Sequence, residues 1–251
     1  MSVFGKNYSS YYDLLYKDKD YKSEVGYIKE IIRKYSKKNC KTILDIGCGT
    51  GKHLKCFKDA GFDVSGVDLS ENMITEAKVL LEQNENFECC KASDFKFNKK
   101  FDVIVSLFHV MSYQAENREL ENVFKNVHNH LEDGGLFIFD FWYGPAVLTD
   151  PPVVKIKRLE NDTIKVTRLT EPVMHANTNI IDVNFEVLIE DQNSHKLDII
   201  NETHKMRYLF LPEIEQYISN AGLKMVDSFQ WMNFEKLSFD TWYGVMVVSA
   251  K

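Results

Sequence analysis

The chain reads as an α/β protein: a largely parallel, doubly wound sheet with helices on both faces, interrupted by an inserted antiparallel β-sheet. Three observations predict this. From residue 42 to residue 141, short apolar runs alternate with helical stretches of roughly 10–15 residues, the pattern of right-handed βαβ units. After Pro151-Pro152 the pattern changes to polar–apolar alternation of period two, which describes antiparallel strands with one wet face. Helix and strand then return from Pro212 onward. The expected organisation is therefore one domain made of residues 1–150 and 211–251, with residues 151–210 as the insertion.

The elements follow in order. The first residues are rich in tyrosine, at Tyr8, Tyr11, Tyr12, Tyr16 and Tyr21. Val25, Ile28, Ile31 and Ile32 fall on one face at helical spacing, so a helix is expected from about Lys22 to Tyr35. Thr42 to Ile46 is a buried strand. Lys52 to Ala60 is a helix that Gly61 stops. Val64 to Asp68 is the next strand, after which Ser70 can cap the helix carrying Met73, Ile74, Ala77 and Leu81. Phe87 to Cys90 and Phe101 to Leu107 are strands, and Glu119 to Leu131 is a helix with Leu120, Val123, Phe124 and Val127 inward. Asp133-Gly134-Gly135 reads as a turn before the strand Leu136 to Phe141. In the insertion, strands are expected at Val154 to Leu159, Thr163 to Leu169, Ile180 to Glu190 and Leu197 to Leu209, with hairpin tips at Asn161-Asp162 and Gln192-Asn193-Ser194. Pro212 belongs to the first turn of a helix running to Ala221, ended by Gly222. Leu223 to Trp231 and Trp242 to Ser249 close the chain as a strand pair.

Composition narrows the class. The 251 residues are 44% hydrophobic and 27% charged, as in a soluble globular protein. The net charge of −6 and the lack of a long Lys/Arg run argue against a dedicated nucleic-acid binder. No apolar stretch reaches membrane-spanning length, and the start has no signal-peptide core. The five cysteines are odd in number and form no C-x-x-C, so reduced thiols in a cytoplasmic protein are expected, with no metal site.

The chemistry concentrates in Leu44-Asp45-Ile46-Gly47-Cys48-Gly49-Thr50-Gly51. Glycines at alternate positions after a strand let the backbone turn sharply and let a ligand approach the main chain. Asp68, at the end of the following strand, has the place of a carboxylate that accepts from a ribose diol. Together they describe a pocket for a nucleoside-containing cofactor. A dinucleotide needs G-x-G-x-x-G. Here the pattern is G-x-G-x-G, and Lys52 stands where the third glycine of that fingerprint falls. S-adenosylmethionine carries no phosphate but an ammonium and a sulfonium, so an acid beside the turn, Asp45, suits it. Asp45 as a turn cap remains a second reading.

The string D-I-G-C-G-T-G with Asp68 downstream resembles the class I S-adenosylmethionine-dependent methyltransferases. The resemblance implies a seven-stranded Rossmann-like sheet whose last strand is inserted antiparallel. Five strands before the insertion and two after it match that count. It also implies S-adenosylmethionine as cofactor and S-adenosylhomocysteine as product. Asp45, Gly47, Cys48, Gly49 and Gly51 would face the methionine part of the donor. Asp68 would hold the ribose, with Leu69 against the adenine. Ser93, Asp94 and Phe95 would flank the base, and Met73 and Leu107 would complete the site.

Four further segments resemble a narrower group, the N-methyltransferases of nucleotide-linked amino sugars. They are Tyr11 to Tyr16 with Asp20-Tyr21, Ser106 to Tyr113, Asp140 to Tyr143, and Glu202-Thr203-His204. By that resemblance the tyrosine-rich start, with Tyr12, Tyr16 and Tyr21, folds over the cofactor, and the inserted sheet shapes the acceptor side. Tyr113 stands where those enzymes carry a histidine proposed as a base. Phe141-Trp142 replaces a tryptophan pair. The catalytic candidates are Tyr113, His109 and Asp140, with His204 as a further base candidate. His109 or Asp140 is expected to accept or orient the proton while Tyr113 places the acceptor. Tyr16, Trp142, Tyr143, His204 and Arg207 are the substrate-side candidates, Arg207 either gripping an anion or sitting in a surface ion pair. The expected function is methyl transfer to a nitrogen or oxygen of a small molecule, in a monomer or homodimer without nucleic-acid or membrane partners. A tRNA or protein methyltransferase, a non-catalytic S-adenosylmethionine-binding protein and a nicotinamide reductase remain the rival readings.

Overall fold

The structure, a computed structural model, describes residues 14–82 and 86–250. Tyr8, Tyr11 and Tyr12 lie outside the described residues.

Among the described residues, eleven strands form one continuous sheet. Its core is built from β1 (Thr42–Ile46), β2 (Asp63–Asp68), β3 (Phe87–Cys89), β4 (Phe101–Ser106) and β5 (Leu131–Tyr143), with β10 (Lys224–Gln230) and β11 (Tyr243–Ser249) at the far end. The order is β3-β2-β1-β4-β5, then β11 and β10 beyond β5. All pairs from β3 to β5 are parallel, whereas β11 runs antiparallel to β5 and β10 antiparallel to β11. This is the seven-stranded arrangement the resemblance implies, with more strands attached.

Alternate residues of each central strand feed two separate cores. Ile43, Val103, Val105 and Ile138 pack under α1 (Tyr21–Tyr35), α2 (Lys52–Asp59) and α3 (Glu71–Leu81). Leu44, Ile46, Ile104, Phe137 and Phe139 pack under α4 (Asn117–His130) and α6 (Leu211–Asn220). A sheet covered on both faces needs apolar residues at consecutive positions, which is why these strands read as unbroken apolar runs. Local capping sets the helix starts. Asp20 accepts from Ser23 N at 3.0 Å and begins α1, and Ser70 accepts from Met73 N to begin α3. Gly222, at φ +76°, follows α6 as expected.

Two local expectations change. Asp133-Gly134-Gly135 is no chain reversal. It is an irregularity within β5, where the register against β4 jumps from Phe101–Leu131 to Val103–Leu136. Gly134 absorbs the extra residues at φ +69°, a conformation that costs glycine little. A short helix, α5 (Gly144–Thr149), and a 3-10 turn (Val110–Tyr113) were not evident from periodicity, because one or two turns show no repeating apolar face.

The insertion is an antiparallel sheet of β6 (Lys155–Glu160), β7 (Ile164–His175), β8 (Ile180–Asp191) and β9 (Leu197–Leu209), in the order β9-β8-β7-β6. It joins the central sheet through the pairs Trp142–Tyr208 and Tyr143–Leu209, where β5 outruns β4. The insertion thereby stands over the carboxyl ends of the parallel strands. The central order reverses between β1 and β4, and ligands in such sheets bind beside that point.

Candidate active site

Three strand ends meet at the reversal. The β1 turn is held by two bonds, Gly47 N and Cys48 N both donating to Val67 O at 2.7 and 2.9 Å. Gly47 has φ +79°, and a Cβ there would lie 2.4 Å from Val110 Cγ2, so only glycine lets the turn reach the 3-10 segment. Asp68 accepts from Gly49 N at 2.9 Å and from Ser70 N at 2.8 Å. Each carboxylate oxygen has a second lone pair left for a ligand hydroxyl. Burial raises the Asp68 carboxyl, while backbone N–H groups, led by Ser70 and Gly49, oppose the rise.

Asp45 sits on β1 beneath this turn, 1% exposed, with neither carboxylate oxygen hydrogen-bonded. Burial above all, and the charges of Asp68 and Asp140 next, push it up to about 8. An orphaned buried acid beside two others is a site waiting for positive charge. The ammonium and sulfonium of S-adenosylmethionine meet that need, and the Asp68 carboxylate meets a ribose. Cys48 is buried, and burial keeps its thiol protonated. Gly51 caps α2 from the left-handed region at φ +79°.

Beyond β4 the chain makes an unusual bend. Phe108 and His109 are consecutive non-glycine residues at φ +67° and +65°. Such backbone costs about 1–3 kcal/mol per residue and tends to gather at functional sites. Asp140, 1% exposed on β5, secures the bend: both its oxygens lie 3.1 Å from His109 N, and one lies 2.5 Å from His109 Nδ1. The His109 ring stacks on Tyr243 with centroids 4.4 Å apart.

Across the cavity, the Tyr113 hydroxyl lies 2.8 Å from His204 Nδ1, and His204 Nε2 lies 3.3 Å from Glu202 Oε2. Burial raises the Tyr113 phenol far above its ordinary range, so it stays neutral. Trp142 contributes a buried indole N–H that has no hydrogen-bond partner. Tyr16 packs edge-on against Phe108 at 5.1 Å. Lys19 lies 4.1 Å over the same ring and pairs with Glu24, which in turn contacts His53 at 2.6 Å. The segment after residue 14 thus ties the bend to α2.

The resulting hollow has two lobes. One, of about 210 Å³, is lined by Tyr16, Gly47, Gly49, Asp68, Met73, Leu107, His109, Tyr113, Trp142 and His204, together with Phe108, Val110, Val183, Phe185 and Met206. The other, of about 530 Å³, shares Gly47, Asp68, Tyr113 and His204 and adds Leu69, Cys90, Lys91, Ala92 and Gln114 among others. The wall is mostly apolar with a few convergent polar groups, as in small-molecule sites.

Several expected site residues stand elsewhere. Ser93 and Asp94 bond to each other at 2.7 Å and face a separate hollow, and Phe95 is wholly buried beside His130. Lys91 and Ala92, two residues earlier, line the lobe beside Leu69 instead. The loop leaves β3 one residue sooner than expected, which shifts the residues that face the hollow. Tyr143 lies on the opposite face of β5, its ring against Phe141. Arg207 is buried and paired with Glu213, so the surface ion pair of the first reading is an internal one. Tyr21 packs edge-on to His53, outside the wall of either lobe. The residues missed were Phe108, Val110, Lys91, Ala92, Glu202 and the apolar side chains of β8 and β9. For the last group a signal existed: Val183 and Phe185 on β8, and Met206 two residues after His204 on β9, obey period two, but alternation does not say which face meets the cavity.

Comparison with known proteins agrees with this geometry. Residues 43–135 match the family described as Methyltransferase domain. The chain is an S-adenosylmethionine-dependent methyltransferase. The methyltransferase is 28% identical over 225 residues to the dTDP-3-amino-3,4,6-trideoxy-alpha-D-glucopyranose N,N-dimethyltransferase of Streptomyces venezuelae, spanning 89% of this chain and 92% of that one. It is 25% identical over 222 residues to the dTDP-3-amino-3,6-dideoxy-alpha-D-glucopyranose N,N-dimethyltransferase of Streptomyces fradiae, spanning 85% and 82% of the two chains. In fold it resembles the crystal structure of Streptomyces venezuelae DesVI, with TM-score 0.80, 24% identity and coverage of 97% and 98%. It resembles a methyltransferase of Clostridium acetobutylicum equally well, with TM-score 0.81, 23% identity and coverage of 99% of both chains. No described helix of the enzyme is long and apolar enough to cross a membrane.

Proposed function

We propose that the enzyme methylates the amino group of a nucleotide-linked amino sugar. The observation that carries the reading is the neutral phenol of Tyr113, fixed by His204 at one wall of an otherwise apolar cavity that opens onto the glycine turn. The similarity to amino-sugar N,N-dimethyltransferases over 89% of the chain supports it, since a match of that length takes in the insertion as well as the donor domain. In this reading residues 1–150 and 211–251 bind the donor and residues 151–210 wall the acceptor.

The donor, when bound, supplies a methyl group already activated by the sulfonium. Asp45, with the turn from Gly47 to Gly51, would hold its cationic methionine end. Asp68 would accept from the ribose hydroxyls, and Leu69, Lys91 and Ala92 would border the adenine. The protein's remaining work is alignment of the amine, worth up to about 7–11 kcal/mol when a reacting pair is held in line. Tyr113 would donate a hydrogen bond to His204 and accept an N–H of the amine at its oxygen, directing the nitrogen lone pair away from itself. His109, with Nδ1 turned to Asp140, keeps Nε2 to receive the proton that the amine sheds.

Incubation with S-adenosylmethionine and dTDP-linked 3-amino and 4-amino sugars, read by mass spectrometry, tests the proposal. Successive addition of methyl groups to the amine is the expected result. Methylation of a hydroxyl instead, or of bulk tRNA or protein with every amino sugar left unchanged, overturns it.

A further inference from the structure

The inner face of the inserted sheet carries a group of cations beside the cavity. Arg168 pairs in register with Lys157 on one side and Val187 on the other, and Lys155 lies one step of the same face away, opposite Thr170. Side chains two apart on a strand share a face. Lys155 and Lys157 therefore face the same way as Arg168, whereas Arg158 faces the opposite side. The pleat thus separates Lys155 and Lys157 from Arg158.

Arg168 is the informative member. Its guanidinium carbon sits 4.8 Å from the centre of the Phe185 ring, and Phe185 lines the cavity with its own ring 5.0 Å from that of His204. Its Nε is buried with no hydrogen-bond partner. Among the described residues it forms no ion pair, and the neighbouring acid, Glu202, is engaged by His204. Lys157 gives one N–H to Leu15 O at 3.0 Å, a neutral partner that leaves its charge uncompensated. A half-buried guanidinium left with a desolvated donor is costly unless an anion completes it. Its planar fork matches phosphate oxygens in pairs, and a flanking ammonium adds charge without geometric demand.

We propose that Arg168, with Lys157 and Lys155, forms a phosphate subsite that takes the diphosphate of the acceptor. Resting on the amino-sugar reading, it places the amine at Tyr113 and the diphosphate past Phe185, so that the insertion selects phosphorylated acceptors over free ones.

The test uses the full chain saturated with S-adenosylhomocysteine and titrated with dTDP in a calorimeter. Arg168→Met should weaken dTDP by about 10–100-fold, the usual worth of hydrogen bonds to a charged group. Lys157→Met should weaken it less, and Arg168→Lys should restore part of the loss. S-adenosylhomocysteine affinity should be unchanged in each variant, which shows that the fold is intact. Kinetically, Arg168→Met should raise KM for a dTDP-linked amino sugar with kcat nearly constant, and leave turnover of the phosphate-free sugar unaltered. If wild type binds dTDP and Arg168→Met loses it, the subsite stands even if no amino sugar is methylated. If a dTDP-linked amino sugar is methylated with the same KM by both proteins, the subsite falls and the amino-sugar reading survives. Failure of wild type to bind dTDP also overturns the subsite.

Discussion

The hydroxyl of Tyr113, on the 3-10 turn after β4, lies 2.8 Å from Nδ1 of His204, on the inserted strand β9. The second nitrogen of that ring faces Glu202 at 3.3 Å. In the neutral tautomer that donates from Nε2 to the Glu202 carboxylate, Nδ1 accepts from the phenol. In that tautomer the Tyr113 phenol donates to His204.

Tyr113→Phe should accordingly lower kcat by roughly 10–100-fold while leaving donor affinity intact, because one charge-neutral positioning bond is lost and nothing in the donor turn is touched. Its pH profile should keep the wild-type shape, since a phenol held far above its ordinary range does not titrate in the working interval. Glu202→Gln should lower kcat more mildly, and nitrogen NMR should show a mixture of His204 tautomers where wild type shows one. Equal kcat in Tyr113→Phe and wild type would refute the positioning role.

His109 should behave in the opposite manner. Its ring contacts Asp140 through Nδ1 at 2.5 Å and borders the cavity, so it is the group placed to take a proton. His109→Gln should reduce kcat by about 100-fold or more while leaving donor affinity unchanged. Turnover close to the wild-type rate would rule His109 out as the base.

Donor binding should release protons. Asp45 is pushed up to about 8 by burial and by its acidic neighbours, so near pH 7 it is mostly protonated in the empty enzyme. A bound cation favours the carboxylate and expels the proton. Affinity for S-adenosylmethionine should therefore rise with pH until about 8 and then level off. Calorimetry in buffers of different ionisation heats should show proton release in wild type and none in Asp45→Asn. The same group burdens the empty fold. Its folded pKa is raised, so the folded state binds more protons than the unfolded chain between about pH 4 and pH 8, and stability falls as pH rises across that window. Asp45→Asn should flatten this slope.

These predictions mark what was readable in advance. The glycine turn and Asp68 were legible because strand, turn and acid are local in sequence and each residue type has one physical reason to be there. The seven-strand core was legible because both faces are buried and the apolar runs are continuous. The Arg207–Glu213 pair and the Glu202–His204–Tyr113 chain were not, since each depends on the contacts β9 makes with other elements. Lys91 and Ala92 line the lobe beside Leu69, whereas Ser93, Asp94 and Phe95 face a separate hollow, and β3 ends at Cys89, one residue sooner than expected. Phe108 and His109 at positive φ were not foreseen, because phenylalanine rarely adopts that region and a lone histidine is only a weak pointer to it.

Arg207 contrasts with Arg168, though both lie in the insertion. Arg207 is 5% exposed, donates to Ala115 O at 3.3 Å and pairs with Glu213, whose other oxygen takes Phe210 N at 3.4 Å. It locks the end of β9 to the start of α6 and to the loop behind Tyr113. Removing one member of such a pair strands the other, at a cost of about 3 kcal/mol given that Glu213 retains some solvent. Arg207→Gln should thus lower Tm by roughly 6–12 °C. Its KM for acceptor should stay at the wild-type value at temperatures where the variant is folded, because both terminal guanidinium nitrogens are engaged by the protein itself. A raised KM with an unchanged Tm would reverse this assignment and return Arg207 to the acceptor site.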